Sequence, residues 1–219
     1  MSKKEKKKGK KSKKKLIIFI LVLLVAGGLT YYALCCTGSS TKKTGAKVVD
    51  KIDNFDYKVA DTDTKLFKSE FKELKKVLSA KEVKREDYAA SIAKLFIIDF
   101  FTLENKVTKN DVGGIQFVYS NYKTTFIDKA RDEFYKYVKS NLNDDRAQAL
   151  PVVKEITVES NEKVTASDVL SGDTFASIDE AYKVSLKWTY EEDLGYQTSA
   201  TVIIIKDNDK LAVAKLTSN

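Results

Sequence analysis

No histidine occurs anywhere in the 219 residues. That removes histidine general bases, Ser-His-Asp and Cys-His nucleophile systems, and histidine-held metals from the chemistry open to the chain. Cysteine is nearly as scarce. The only two are neighbours, Cys35 and Cys36, so no disulfide can tie together the residues beyond them, and an apolar core must do so. There is one proline, Pro151, and only three of the 39 basic residues are arginine (Arg85, Arg131, Arg146). Lysine bias of this kind fits an AT-rich genome and, with a cysteine-free C-terminal part, a low-GC Gram-positive bacterium. Glycine is sparse too. Of its two pairs, Gly27-Gly28 and Gly113-Gly114, the second is followed by neither GK[ST] nor a dinucleotide-binding glycine pattern, which argues against a phosphate cradle.

Charge is concentrated where apolar residues are absent. Ten lysines and Glu5 fill residues 1–15, and Leu16–Leu34 (LIIFILVLLVAGGLTYYAL) then runs uncharged. At about 1.5 Å per residue this run spans roughly 28 Å, about the hydrocarbon thickness of a bilayer. A cleaved signal peptide has a shorter apolar core, about 7–15 residues, and a small-x-small exit. Here the exit is Ala33-Leu34-Cys35, and Tyr31 and Tyr32 stand where interfacial aromatics anchor a spanning helix. An uncleaved anchor is the favoured reading. Neither Cys35 nor Cys36 is preceded by a lipobox, which leaves two thiols at the membrane edge, available for pairing between chains.

Lysines stay on the cytoplasmic side, which puts the N-terminus inside and residues 48–219 outside the cell membrane. Lys10, Lys11, Lys13, Lys14 and Lys15 are placed to meet anionic lipid headgroups. The expected organisation is a basic cytoplasmic tail (1–15), a transmembrane helix (16–34), a flexible linker (35–47, with TGSSTKKTGAK at 37–47) and an extracytoplasmic domain (48–219). The net charge of +8 misleads on its own. Removing the tail's ten lysines and Glu5 from 39 basic and 31 acidic residues leaves 29 and 30. The outer part therefore has no basic footprint, and nucleic acid is not an expected partner. About 170 residues suffice for one core and are short for two.

Periodicity predicts an α+β domain. A short strand is expected over Phe55–Val59. A helix over Thr64–Leu78 carries Phe67, Phe71, Leu74 and Leu78 on one face, with Asp61 or Asp63 as its cap. Ser79 and Glu82 form a capping-box pattern for a second helix over Ala80–Leu103, whose end, Leu95–Phe101, is apolar on nearly all sides. A strand is expected over Ile115–Tyr119, and a third helix over Tyr122–Asn141 with Phe126, Ala130, Phe134, Tyr137 and Val138 as its stripe. Beyond Pro151 the pattern turns to period two: Ile156 and Val158, then Tyr182–Tyr190, Thr198–Ile205 and Leu211–Leu216 as an antiparallel meander.

The order of these elements over Thr64–Leu216 resembles the nuclear-transport-factor-two-like cone fold, in which three helices pack into the concave face of a bent antiparallel sheet. Single-span proteins with an outer domain of this fold occur among assembly factors of conjugation and type IV secretion machines, and the anchored layout is similar to theirs. The phrases Phe96-Ile-Ile-Asp-Phe-Phe-Thr-Leu-Glu-Asn-Lys106, Asn110-Asp-Val-Gly-Gly-Ile-Gln-Phe-Val118 and Asp193-Leu-Gly-Tyr196 also resemble an uncharacterised family of membrane-anchored proteins in low-GC Gram-positive bacteria. That resemblance implies no activity.

Asp99 is the sharpest candidate for chemistry. Helical spacing puts it on the face of Ile92 and Phe96, where desolvation would raise the pKa of a carboxylate. Some cone-fold enzymes use a buried aspartate as a proton-abstracting base, and the position resembles theirs. The plainer reading is a structural aspartate bonded to a tyrosine hydroxyl or a backbone amide. Phe96, Phe100, Trp188 and Tyr190 could line a groove with it, although aromatics at alternating spacing are usually core. Asp61/Asp63 and Asp207/Asp209 lack the glycine and glutamate of a calcium loop and read as a cap and a turn. The expectation is a non-catalytic protein with no cofactor and no metal, which docks another envelope protein or itself. The alternative is a module that holds a small apolar ligand or lipid in its cone.

Overall fold

A computed structural model describes residues 46–172 and 175–218. The basic tail, the apolar run, Cys35, Cys36 and the headgroup lysines Lys10, Lys11, Lys13, Lys14 and Lys15 lie outside the described residues. Among the described residues no helix is long and apolar enough to cross a membrane.

The domain is α+β, with four helices and two antiparallel sheets. Strands β1 (Val48–Ile52) and β2 (Tyr57–Ala60) form a two-stranded ribbon. Helix α1 (Lys65–Leu78) follows, capped by Thr64, whose Oγ1 accepts from Phe67 N at 3.1 Å. The two aspartates expected to cap it act one turn earlier: Asp63 Oδ2 accepts from Ala60 N and Asp61 Oδ1 from Lys47 N. Phe67, Phe71 and Leu74 are buried, and Lys75 and Lys76 occupy the last turn, where cations favour the helix C-terminus.

Helix α2 (Arg85–Phe101) begins five residues later than the capping-box pattern suggests. Ser79 is already used to close α1, and no side chain caps α2. Eleven of its residues are buried, among them Tyr88, Ile92 and the run Leu95–Ile98, so almost every face of the helix meets protein.

The segment expected to be a strand, Ile115–Tyr119, is instead a 3-10 turn (Ile115–Phe117) in which only Val118 bridges the sheet, parallel to Val213. The long third helix is also cut short. Helix α3 covers Lys123–Lys129 and passes into a π turn, Ala130–Phe134. The cause is Tyr135. The wider turn rotates its ring into the core, where its hydroxyl donates to Phe100 O at 2.6 Å and accepts from Gly113 N at 3.1 Å. Tyr137, expected on the apolar stripe, is 75 % exposed.

The second half is one antiparallel meander in the order β3-β4-β5-β6: β3 (Val153–Val164), β4 (Ala181–Tyr190), β5 (Ser199–Asp207) and β6 (Lys210–Ser218). A four-residue helix, α4 (Ala166–Val169), follows β3. Bulges interrupt β3 in two places and β6 at the Ile203/Ile204 step, and bulges bend strands. The main core lies between α1, α2 and the sheet face that carries Val184, Leu186, Trp188, Val202 and Ile204. A smaller core on the other face joins Ile203 and Ile205 to Leu170, Phe175 and Ala212. Burial of both faces explains why Ile203-Ile204-Ile205 breaks the polar alternation.

Candidate functional site

The last two turns of α2 divide their side chains between two cavities. On one side Phe96, Phe100 and Phe101 floor a cleft of about 580 Å³. Helix α3 and the π turn supply one wall through Thr125, Phe126, Lys129, Ala130, Glu133 and Phe134, and β6 supplies the other through Val213, Ala214, Lys215 and Leu216. The floor is built of stacked rings. Phe96 and Phe100 lie 5.6 Å apart and nearly parallel, and Phe100 meets Phe134 at 5.0 Å and Phe126 at 5.3 Å. Short α3 followed by a wide turn keeps Phe126 and Phe134 only half-buried, which leaves the rings available to an occupant.

On the other side lies a polar cavity of about 240 Å³ that includes Asp99, Lys106, Asp63, Asp111, Asn105 and Gln116. Both oxygens of Asp99 are engaged: Oδ1 accepts from Lys106 Nζ at 2.6 Å and Oδ2 from Gly114 N at 2.7 Å. Lys106 is 6 % exposed at its side chain and Asp99 16 %, so this ion pair is largely, though not fully, buried. Burial pushes the neighbouring Asp63 carboxyl up, and the Asp99 charge adds to the shift.

Gly113 and Gly114 lie against α2 where Asp99 and Phe96 leave the helix. A Cβ on Gly113 would stand 2.1 Å from Asp99 O, and one on Gly114 would stand 2.8 Å from the Phe96 ring. Gly114 also has φ 77°, a left-handed conformation that favours glycine. The pair therefore serves close packing of a loop on α2.

Of the groove residues named from the sequence, Phe96 and Phe100 do line the cleft. Asp99 does not join them; it faces the polar cavity. Trp188 is 2 % exposed and packs behind the floor, 4.7 Å from Phe101. Tyr190 is half-buried, and its hydroxyl donates to Gln197 O at 2.7 Å. Burial pushes that hydroxyl up to about 12, with the Trp188 indole acting in the opposite direction. Among the described residues no three acidic groups gather into a metal-holding cluster. Asp207 is more than a turn residue: it is buried and accepts from Ser120 N and Ser120 Oγ.

Sequence reasoning missed three polar contacts. Tyr57 and Tyr88 bond each other at 2.8 Å beneath β6. Arg146, 1 % exposed at its side chain, donates to Lys106 O at 2.7 Å and Glu104 O at 2.5 Å, clasping the loop beside the polar cavity. Arg85 pairs bidentately with Glu180, whose carboxyl it holds below the ordinary value. The rarity of arginine was the one available signal, since two of the three hold specific buried or bidentate contacts.

No family model matches the chain, and searches of curated proteins and of solved structures return no significant match. The site is therefore read from its chemistry alone.

Proposed function

We propose that this chain is a single-pass membrane protein whose extracytoplasmic α+β domain is a non-catalytic binding and assembly module of the cell envelope. In this reading its helices and bulged sheet form a cone of the nuclear-transport-factor-two-like kind, and the aromatic cleft at the cone's side is where it binds. The cleft is the observation that carries the reading. Its margin presents the half-buried rings of Phe126 and Phe134 over a floor of buried ones, and the one acid that sequence spacing suggested as a base, Asp99, faces away from it with both oxygens engaged. The anchor rests on the uncharged run Leu16–Leu34 behind ten lysines.

The test is crosslinking of the full-length protein in intact cells with a membrane-impermeant, lysine-directed reagent. Modification of lysines beyond Lys47, sparing of those in residues 1–15, and recovery of a defined envelope complex are the expected results. Modification only after lysis, or a domain that turns over a substrate, would overturn the proposal.

A second reading is favoured by the cleft's size. A volume of about 580 Å³ falls within the range of about 300–1,000 Å³ typical of small-molecule pockets. In that reading the module holds a small apolar molecule or a lipid. Native mass spectrometry of the gently purified full chain decides it, and protein that carries nothing would end it.

A further inference from the structure

The outer edge of β6 is covered along half its length. Leu211 N donates to the Tyr88 hydroxyl at 3.2 Å, and Leu211 O accepts from the Tyr57 hydroxyl at 3.0 Å. Val213 O accepts from Tyr119 N at 2.8 Å, beside the parallel Val118–Val213 bridge. The chain thus starts a fifth strand along this edge and abandons it after Tyr119, turning into Ser120–Tyr122 and α3. From Ala214 to Ser218 no strand among the described residues pairs with the edge. Lys215, Thr217 and Ser218 are exposed there. The open stretch runs along the aromatic cleft, which Val213, Ala214, Lys215 and Leu216 border.

We propose that this open half of β6, with the cleft beside it, takes an extended, acidic segment of a partner protein as an added strand. The proposal rests on the cleft being the binding site argued above. An added strand satisfies the free backbone groups of the edge, and every second side chain points to one face, where an apolar residue enters the ring floor. Charge selects the occupant. Lys129 on the facing helix and Lys215 on β6 border the cleft; neither is used by an ion pair among the described residues, and the Lys215 ammonium donates only to Val169 O at 3.4 Å. Glu133 is the one carboxylate that borders the cleft. A second copy of β6 would set lysine against lysine, the usual protection of an edge against self-pairing. A segment rich in glutamate or aspartate meets complementary charge.

The full-length chain in lipid nanodiscs is titrated with two peptides of about eight residues. One alternates Val and Phe with Glu, the other alternates them with Lys; 4-phenylbutyrate serves as a small apolar probe. Amide exchange is read by mass spectrometry. The Glu peptide is expected to slow exchange over residues 214–218 by about tenfold, and the Lys peptide to leave it unchanged. Thr125→Trp fills the cleft from its exposed rim, and Lys129→Glu reverses the rim charge on an exposed helix position. Each should weaken the Glu peptide by about fivefold in a chain whose circular dichroism is unchanged. Equal protection by both peptides would overturn the choice of an acidic partner. Protection of α2 and α3 by 4-phenylbutyrate, with none at 214–218 from either peptide, would overturn strand addition and leave the cleft as a small-molecule site. No protection by any probe would overturn this proposal and the binding reading together.

Discussion

Asp99 and Phe100 are adjacent in sequence, yet they belong to cavities of opposite character. Phe100 looks into an aromatic cleft of about 580 Å³, and Asp99 into a polar cavity of about 240 Å³. The cleft side is ring against ring, with half-buried Phe126 and Phe134 at its margin. The Asp99 side is held by a largely buried ion pair, a backbone amide and the Arg146 clasp. The contrast teaches that adjustable surface and fixed surface can share one helix when they lie on different sides of it. Half-buried rings can exchange one apolar neighbour for another at little cost, whereas a desolvated charge that loses its partner is strongly destabilising. Binding belongs on the first face and anchoring on the second.

Forcing the glycine loop off α2 should have the largest effect. Gly113→Ala brings a Cβ to 2.1 Å from Asp99 O, a backbone atom that cannot swing aside. A loss of about 3 kcal/mol or more is expected, at the upper end of overpacking costs. Denaturant unfolding followed by the fluorescence of Trp188, the only tryptophan and 2 % exposed, measures it. An unchanged midpoint would show that the loop is not wedged against α2.

Breaking the fixed face comes next. Lys106→Met leaves the Asp99 carboxylate with Gly114 N alone and should cost about 3 kcal/mol. Adding Asp99→Asn removes the stranded charge and should restore much of that loss. The cycle sharpens the comparison: if the single and double variants unfold at the same midpoint, the pair carries no buried charge worth the name. Neither change should alter occupancy of the cleft on the other side of the helix.

Much of this architecture was legible in the sequence, and the failures share a cause. The meander was readable because Tyr182, Val184, Leu186 and Trp188 alternate without interruption, and α1 because Phe67, Phe71 and Leu74 keep one face. Period-based reading failed wherever one long-range polar contact set the local geometry. The π turn exists because Tyr135 reaches Phe100 O and Gly113 N, 35 and 22 residues away. Val118 makes one bridge and no strand because the chain leaves the β6 edge after Tyr119 and turns into Ser120–Tyr122. Spacing alone sets Asp99 beside Phe96 because a helical wheel shows angles and not what packs against each; Gly113-Gly114 packs on this stretch of α2, and its meaning depends on what it touches. The tyrosine pair that covers Leu211 left no sequence pattern at all.

The smallest expected effect lies behind the cleft floor, at Tyr190. Its hydroxyl is raised from 10.0 to about 12 by burial. A raised folded-state value means that the folded protein keeps a proton that the unfolded chain releases. The associated stability is complete below about pH 10, declines above it and is gone once the pH passes the folded value of about 12. Tyr57, Tyr88, Tyr135 and Tyr182 are raised as well, all through burial first, so the whole domain should weaken in alkali. Tyr190→Phe deletes one contributor. Unfolding midpoints at about pH 9 and pH 11.5, read from Trp188, should fall less steeply in the variant than in the parent. Equal slopes would mean that the cleft side is hydrated down to Tyr190, and the contrast between a ring floor and a polar cavity would have to be redrawn there.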